Sequence, residues 1–237
     1  MMRAAIQDYT RSLERSERAR TRADRPDVFT LRGREWDLLD EVFAPNYAPS
    51  SGVSLEFLGC FEEVQLPRRG SLLEIGSGTG IVAVMAALMG CDRVVASDIN
   101  PQAVRNTALN ARRHGVADRL RAVYSDLFAA LPCHERFDMV FWHSNYVLAP
   151  ADYRYRTAQE CAYVDPGYEA HRRYLAEAPR WTTPGGSAYL HFSSRGDLDV
   201  LYGLAEETGR KLLTRRRREI QDGPDTVEHL LLQVVAA

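Results

Sequence analysis

The stretch Leu72-Leu73-Glu74-Ile75-Gly76-Ser77-Gly78-Thr79-Gly80-Ile81-Val82 sets three glycines at alternate positions between a short apolar run and the start of a helical one. Such a segment reads as a buried strand, a glycine loop and a helix. The glycines permit a tight turn and let a ligand approach the backbone N–H groups at the helix start. From Pro67 onward, short apolar runs alternate with helix-length segments, the pattern of repeated βα units and a mostly parallel sheet. Strands are predicted at Ser71–Ile75, Arg93–Ser97, Leu120–Tyr124, Phe137–Trp142 and Ser187–Phe192, and helices at Gly80–Met89, Pro101–His114, Gly167–Ala178 and Leu198–Thr208. Two last extended segments, Lys211–Glu219 and Glu228–Val235, read as a hairpin that closes the sheet with an antiparallel strand. The cluster Arg215 to Arg218 falls in this hairpin and reads as a solvated edge.

Upstream, Ile6, Tyr9 and Leu13 are spaced as on one face of a thin amphipathic helix that Arg25-Pro26 ends. Residues 28 to 61 mix aromatics with turn residues and read as an irregular lead-in followed by a helix near Ser54–Val64. The chain therefore divides into an N-terminal helical and irregular arm, residues 1–53, placed as a lid, and an α/β domain, residues 54–237.

Composition narrows the class. In 237 residues, 45% hydrophobic and 26% charged, no apolar run approaches the ~20 residues of a bilayer span. Met1 to Tyr9 lacks the apolar stretch of a secretory signal, so the expected address is cytoplasmic. The four cysteines, Cys60, Cys91, Cys133 and Cys161, lie far apart and read as free, partly buried thiols, with no metal site expected. A net charge of −2 disfavours a nucleic-acid partner, and Lys211, the only lysine, gives Schiff-base chemistry little support.

The glycine spacing selects the ligand. A dinucleotide loop needs its third glycine five positions after the first, whereas here Gly80 follows Gly76 by four, with Glu74 just before. That disfavours a pyrophosphate and a nicotinamide oxidoreductase. An acid ending the first strand suits a ligand carrying an ammonium and a sulfonium. Asp98 ends the second strand, where a carboxylate accepts hydrogen bonds from both ribose hydroxyls of a nucleoside. Ser125-Asp126-Leu127 follows the third strand and brings another carboxylate to the same sheet edge, placed to accept from an adenine amino group.

With the glycine loop, Ser97-Asp98-Ile99-Asn100, Ser125-Asp126-Leu127 and the terminal hairpin in this order, the chain resembles the class I S-adenosylmethionine-dependent methyltransferases from about Ser54 to the C-terminus. The resemblance implies a Rossmann-like fold with a seven-stranded, mostly parallel sheet. It also implies S-adenosylmethionine as cofactor. By the same resemblance Glu74, Gly76, Ser77, Gly78 and Gly80 hold the methionine part, Asp98 the ribose and Asp126 the adenine, with Ile99 and Leu127 also in the cofactor site.

The fourth strand and its loop read Phe137-Asp138-Met139-Val140-Phe141-Trp142-His143-Ser144-Asn145-Tyr146. This is similar to the subgroup that carries Asn-Pro-Pro-Tyr there and methylates amide or exocyclic nitrogens, and Asp165-Pro166-Gly167 to Pro184-Gly185-Gly186 is similar to its release-factor glutamine methyltransferase branch. Aligned with the motif, His143 replaces the asparagine, Ser144 and Asn145 replace the prolines, and Tyr146 alone is kept. The substitutions point away from glutamine, adenine and guanine. His143, Asn145 and Tyr146 are the candidate catalytic residues, His143 as a general base with a pKa near 6.5. The insertion from Val147 to Val164, with Tyr153, Tyr155, Arg156, Gln159, Glu160 and Tyr163, is expected to roof a pocket over His143. The leading expectation is O- or N-methylation of a small molecule in specialised metabolite biosynthesis. A protein N-methyltransferase of the glutamine type is the alternative, and a non-catalytic nucleoside-binding module is a third reading.

Overall fold

A computed structural model describes residues 6–59 and 69–237. The first helix, α1 (Tyr9–Thr21), is capped by Asp8, whose carboxylate accepts from the Thr10 N–H at 2.9 Å. A hairpin follows, β1 (Val28–Leu31) and β2 (Arg34–Asp37), then a 3-10 turn at Pro45–Tyr47 and α2 (Ser50–Phe57). The α/β part runs β3 (Ser71–Ile75), α3 (Ile81–Leu88), β4 (Arg93–Asp98), α4 (Pro101–Arg113), β5 (Leu120–Tyr124) and β6 (Phe137–His143). The insertion holds the short strands β7 (Leu148–Ala149) and β8 (Asp165–Pro166), which pair in parallel, and a 3-10 helix at Ala158–Ala162. Last come α5 (Glu169–Glu177), a 3-10 turn at Ala178–Trp181, β9 (Thr182–Ser193), α6 (Leu198–Glu207), β10 (Arg210–Asp222) and β11 (Asp225–Ala236).

The seven-stranded sheet has the order β10-β11-β9-β6-β3-β4-β5. Strands β9, β6, β3, β4 and β5 are parallel, and β11 runs antiparallel between β9 and β10. The Rossmann-like α/β fold with its antiparallel closing hairpin is thus as the sequence pattern predicts. All five residues of β3 are buried, because alternate side chains enter cores on opposite faces: Leu72 packs with α2, α3 and α4, and Leu73 and Ile75 with α5 and α6. From β3 the chain winds outward to β4 and β5, then returns to β6 on the other side. Ligands of open α/β sheets sit at such a reversal, beyond the carboxyl ends of the strands.

Several expectations change. The lead-in is not irregular throughout: β1 and β2 form a two-residue hairpin in which Arg32 and Gly33 both take positive φ, at 53° and 72°. The helix expected near Ser54–Val64 begins at Ser50 and runs to Phe57; residues 60–68 lie outside the described residues. Cys91 is buried, Cys161 half-buried and Cys133 exposed, while Cys60 lies outside the described residues. Arg215–Arg218 do lie on the edge strand β10, with Arg217 paired to Glu228 and Arg218 to Glu56.

The hairpin is moored to α4. Asn110 accepts from the Asp37 N–H at 2.8 Å and donates to the carbonyls of Asp37 and Thr79, while Asn106 accepts from the Leu39 N–H and donates to the Asp37 carbonyl. Both asparagines are fully buried, and Arg113 grips the Asp37 carboxylate with two bonds of 2.7 Å. These bonds tie the arm to the helix that also carries the site, since Thr79 belongs to the glycine loop. Asn110→Ala leaves buried backbone groups unpaired and is expected to lower stability by about 1–3 kcal/mol in urea unfolding and to speed proteolysis before residue 40. An unchanged midpoint and cleavage pattern would show that the mooring carries no energy.

Candidate functional site

Strands β3, β4, β5 and β6 end at one edge, with Ile75 in register beside Ser97 and Trp142, and Asp98 beside Tyr124. Over this edge lies a cavity of about 410 Å³, within the ~300–1,000 Å³ usual for small-molecule sites. Glu74, Gly76, Ser77, Gly78, Asp98, Ile99, Asp126, Leu127, His143, Asn145 and Tyr146 all line it, so the edge gathers all but one of the predicted site residues. The exception, Gly80, works from behind: at φ 79° it caps α3, and a Cβ there would come within 2.9 Å of Thr107 on α4.

The loop is held by internal bonds. Ser77 N–H donates to the Ser97 carbonyl at 3.1 Å, Gly78 N–H to the Asp98 carboxylate at 2.8 Å, and Gly80 N–H to the Ser77 carbonyl at 2.7 Å. This corrects the expectation that the loop offers its N–H groups to a ligand: these three are engaged with the protein. What it offers is space, since nothing lies within 4 Å of a Cβ built on Gly78.

The floor is anionic. Glu74 is 3% exposed and accepts from the Ala83 N–H in the first turn of α3; Asp98 is 9% exposed and accepts from Gly78 and Asn100. Among the described residues neither carboxylate has a cationic partner. Burial pushes the Glu74 carboxyl well above its usual range and Asp98 up to about 6. The Asp98 carboxylate, acted on by the N–H groups of Asn100, Gly78 and Ile99, keeps acceptor capacity toward a ligand hydroxyl. A cationic nucleoside fits this donor set, and a pyrophosphate does not. Asp126 is exposed and joined to Arg173 on α5 at 2.8 Å, a partner that sequence spacing could not reveal. Ile99, 44% exposed, presents an apolar side chain beside it on the cavity rim.

His143, half-buried on the cavity wall, stacks on His191 of β9 with ring centroids 4.3 Å apart and planes 10° apart. Behind it His191 bonds to Ser54 at 2.6 Å and to His229 of β11 at 2.9 Å. Burial first, then the neighbouring His229, pull the His143 imidazole down to about 3. That corrects the expected pKa near 6.5: this ring is neutral throughout the physiological range and only weakly basic. Asn145 donates its amide to the carbonyls of Cys161 and Val164, both at 2.8 Å, which ties the motif loop to the insertion. Tyr146 is flanked by Ser50 of α2 and Ser193 of β9, and burial raises its phenol.

The roof combines the arm with the insertion. Ser12 donates to the Tyr163 carbonyl at 2.9 Å, and Gln159 donates to the Ser16 carbonyl at 2.9 Å. Small residues make this approach possible, because the buried face of α1 is Ser12, Leu13, Ser16 and Ala19. Sequence reasoning passed over Arg15, Arg18 and Arg22, which line the cavity from α1 and the residue that follows it; their spacing by three and four is the signal that could have found them. Arg18, Arg22, Ile99, Asp126 and Tyr155 are exposed lining residues and mark the rim.

The family model of ribosomal protein L11 methyltransferase (PrmA) matches residues 52–149. The release factor glutamine methyltransferase of Bordetella pertussis is 30% identical over 186 residues, 73% of this chain and 66% of that protein. The ribosomal protein uL3 glutamine methyltransferase of Burkholderia pseudomallei is 28% identical over 151 residues, 58% of this chain and 49% of that protein. The aligned stretches thus span half to two thirds of these curated relatives. In fold, the chain is similar to SMU.776, a putative methyltransferase complexed with S-adenosylhomocysteine, at a TM-score of 0.61 and 11% identity, covering 88% of this chain and 56% of that one. Fold and relatives together make this a class I S-adenosylmethionine-dependent methyltransferase with S-adenosylmethionine as its cofactor. They also correct the expectation of a small-molecule partner drawn from the roof: both relatives are named for protein acceptors.

Asp98 must be ionised to accept two hydroxyls, and its carboxyl lies near 6 in the free protein. Affinity for S-adenosylhomocysteine is therefore expected to hold above pH 6 and to fall by up to about tenfold per unit as pH drops through it. Asp98→Ala is expected to lose about 1–3 kcal/mol of binding at pH 7.5 and to flatten the profile. Calorimetry showing equal affinity at pH 5 and pH 7.5 for the wild type would count against this role.

Proposed function

We propose that this class I S-adenosylmethionine-dependent methyltransferase methylates a side-chain amide nitrogen of a protein of the translation machinery, glutamine being the residue type, and does so in the cytoplasm. In this reading Glu74, Gly76, Ser77, Gly78 and Gly80 hold the methionine part of the donor, Asp98 and Ile99 the ribose, and Asp126 and Leu127 the adenine. Residues 1–53 serve as a lid on the domain formed by residues 54–237. When bound, the donor supplies an electrophilic methyl group on its sulfonium.

The observation that carries the reading is the weakly basic imidazole of His143 on the cavity wall. A hydroxyl acceptor needs a base whose pKa lies near the working pH, and an imidazole at about 3 is not one. An amide nitrogen that has gained a methyl group is a strong acid until it loses a proton, so a weak, neutral base suffices for it. His143 accepts that proton, and its stack on His191 holds the ring in place. The Tyr146 carbonyl, which accepts from the Tyr168 hydroxyl, and the tied amide of Asn145 fix the loop that follows His143. Positioning supplies most of the rate. The acceptor side chain enters at the rim marked by Arg18, Arg22 and Tyr155. The names of the two glutamine-modifying relatives support the same acceptor class.

The enzyme is expected to transfer radiolabelled methyl groups to a ribosomal protein or release factor from its own host, with mass spectrometry placing one methyl on a glutamine. His143→Ala is expected to cut that turnover by about 10²-fold or more while leaving donor affinity intact in single-turnover assays. Label on a hydroxyl, or a variant that loses donor binding yet keeps its rate at saturating donor, would overturn the assignment.

A further inference from the structure

The charges facing the cavity are unevenly placed. Its floor and far wall carry Glu74, Asp98, Asp126 and Asp222, and its only cationic lining residues among the described ones are Arg15 and Arg18 of α1 and Arg22 just after it. The cofactor brings two positive groups, a sulfonium and an ammonium, and one negative group, the α-carboxylate of its methionine part. The floor's acids suit the positive groups. A carboxylate taken out of water without a partner costs several kcal/mol, so its counter-charge has to be found in the lining.

The glycine loop carries no cationic side chain, and the N–H groups of Ser77, Gly78 and Gly80 already donate to Ser97, Asp98 and Ser77. His143 is neutral. That leaves Arg15, Arg18 and Arg22, and their surroundings separate them. Arg22 is paired to Asp24 at 2.7 Å and lies over the Tyr47 ring, away from the motif loop. Arg18 is exposed on the rim. Arg15 is half-buried, with its side chain 31% exposed, and its charge acts on the phenols of both Tyr146 and Tyr163, which places it at the motif-loop end of the cavity.

Arg15 also keeps charge to give. Its contact with Asp222, at 3.3 Å, is shared: the same carboxylate oxygen lies 2.6 Å from Arg195, which is 5% exposed and also reaches Asp225 at 3.5 Å. Arg195 and Asp222 form the tight pair, and Arg15 stands beside it as the surplus cation. The Gln7 N–H, bonded to the Arg195 carbonyl at 2.9 Å, anchors the start of the arm at the same place.

We propose that Arg15 binds the α-carboxylate of the donor, so that the arm is part of the cofactor site and donor binding holds α1 on the domain. The consequence is a coupling: cofactor, and the product that retains the same carboxylate, stabilise the closed arm, and product leaves when α1 lifts. The proposal rests on the cofactor, not on the acceptor, so it stands or falls apart from the glutamine reading.

The test compares two ligands that differ only in that group, S-adenosylhomocysteine and its decarboxylated analogue, by calorimetry on the full chain. Wild type is expected to bind S-adenosylhomocysteine about 30-fold more tightly than the analogue, the range of a lost charged hydrogen bond. Arg15→Met is expected to remove that preference by weakening S-adenosylhomocysteine alone. Unchanged binding of the analogue then shows that the variant is folded. Arg18→Met is expected to keep the preference within about threefold. Equal affinity of wild type for the two ligands would overturn the proposal without recourse to any variant. So would a parallel loss for both ligands in Arg15→Met, or a selective loss that follows Arg18→Met instead.

Discussion

The hydrogen bond from the Gly78 N–H to the Asp98 carboxylate, 2.8 Å long, joins the glycine loop after β3 to the end of β4, and the chemistry of the cavity follows from it. It fixes the loop close to the sheet edge, where glycine takes the positive φ of 54° at residue 78 at the least cost. It engages the N–H that an anion would otherwise bind. The bond itself lowers the Asp98 carboxyl, but burial beside Glu74, with no cationic partner among the described residues, outweighs it and raises both acids, leaving an anionic floor. Preference for a sulfonium over a pyrophosphate is thus a property of one strand-to-strand contact.

A floor of this kind needs a roof, because two carboxylates open to water would be screened. The arm provides it and is held at three places. Asn106, Asn110 and Arg113 of α4 hold β2; Ser12 and Ser16 of α1 bond the insertion; and Arg15 and Gln7 meet the Arg195–Asp222 pair at the closing hairpin. The first mooring is buried and saturated with hydrogen bonds, while the third is made of partly exposed charges. Exposed ion pairs are weak, so of the three the charged contact holds the arm least.

Much of the fold could be read directly. Alternating apolar runs place every strand from β3 to β6 within a residue, because buried parallel strands have no polar face to blur the pattern. The hairpin of β1 and β2 escaped, although Gly33 after Arg32 was its signal; its strands are four residues long and take their order from α4, a partner about 75 residues away. In the site, residues at strand ends were legible, since topology alone brings Gly76, Asp98, Asp126 and His143 to one edge. What they do there depends on partners that spacing does not reveal. Asp126 meets Arg173, the loop N–H groups meet protein acceptors, and His143 stacks in a buried trio that strips it of basicity. The tyrosine-rich insertion does roof the cavity, yet an enclosed roof does not by itself specify a small acceptor.

Amide hydrogen exchange with and without S-adenosylhomocysteine tests most directly whether floor and arm form one site. Exchange in residues 76–80 and in Tyr9–Thr21 is predicted to slow together, with the same dependence on ligand concentration. Protection confined to residues 76–80, with α1 exchanging at its ligand-free rate, would contradict the account.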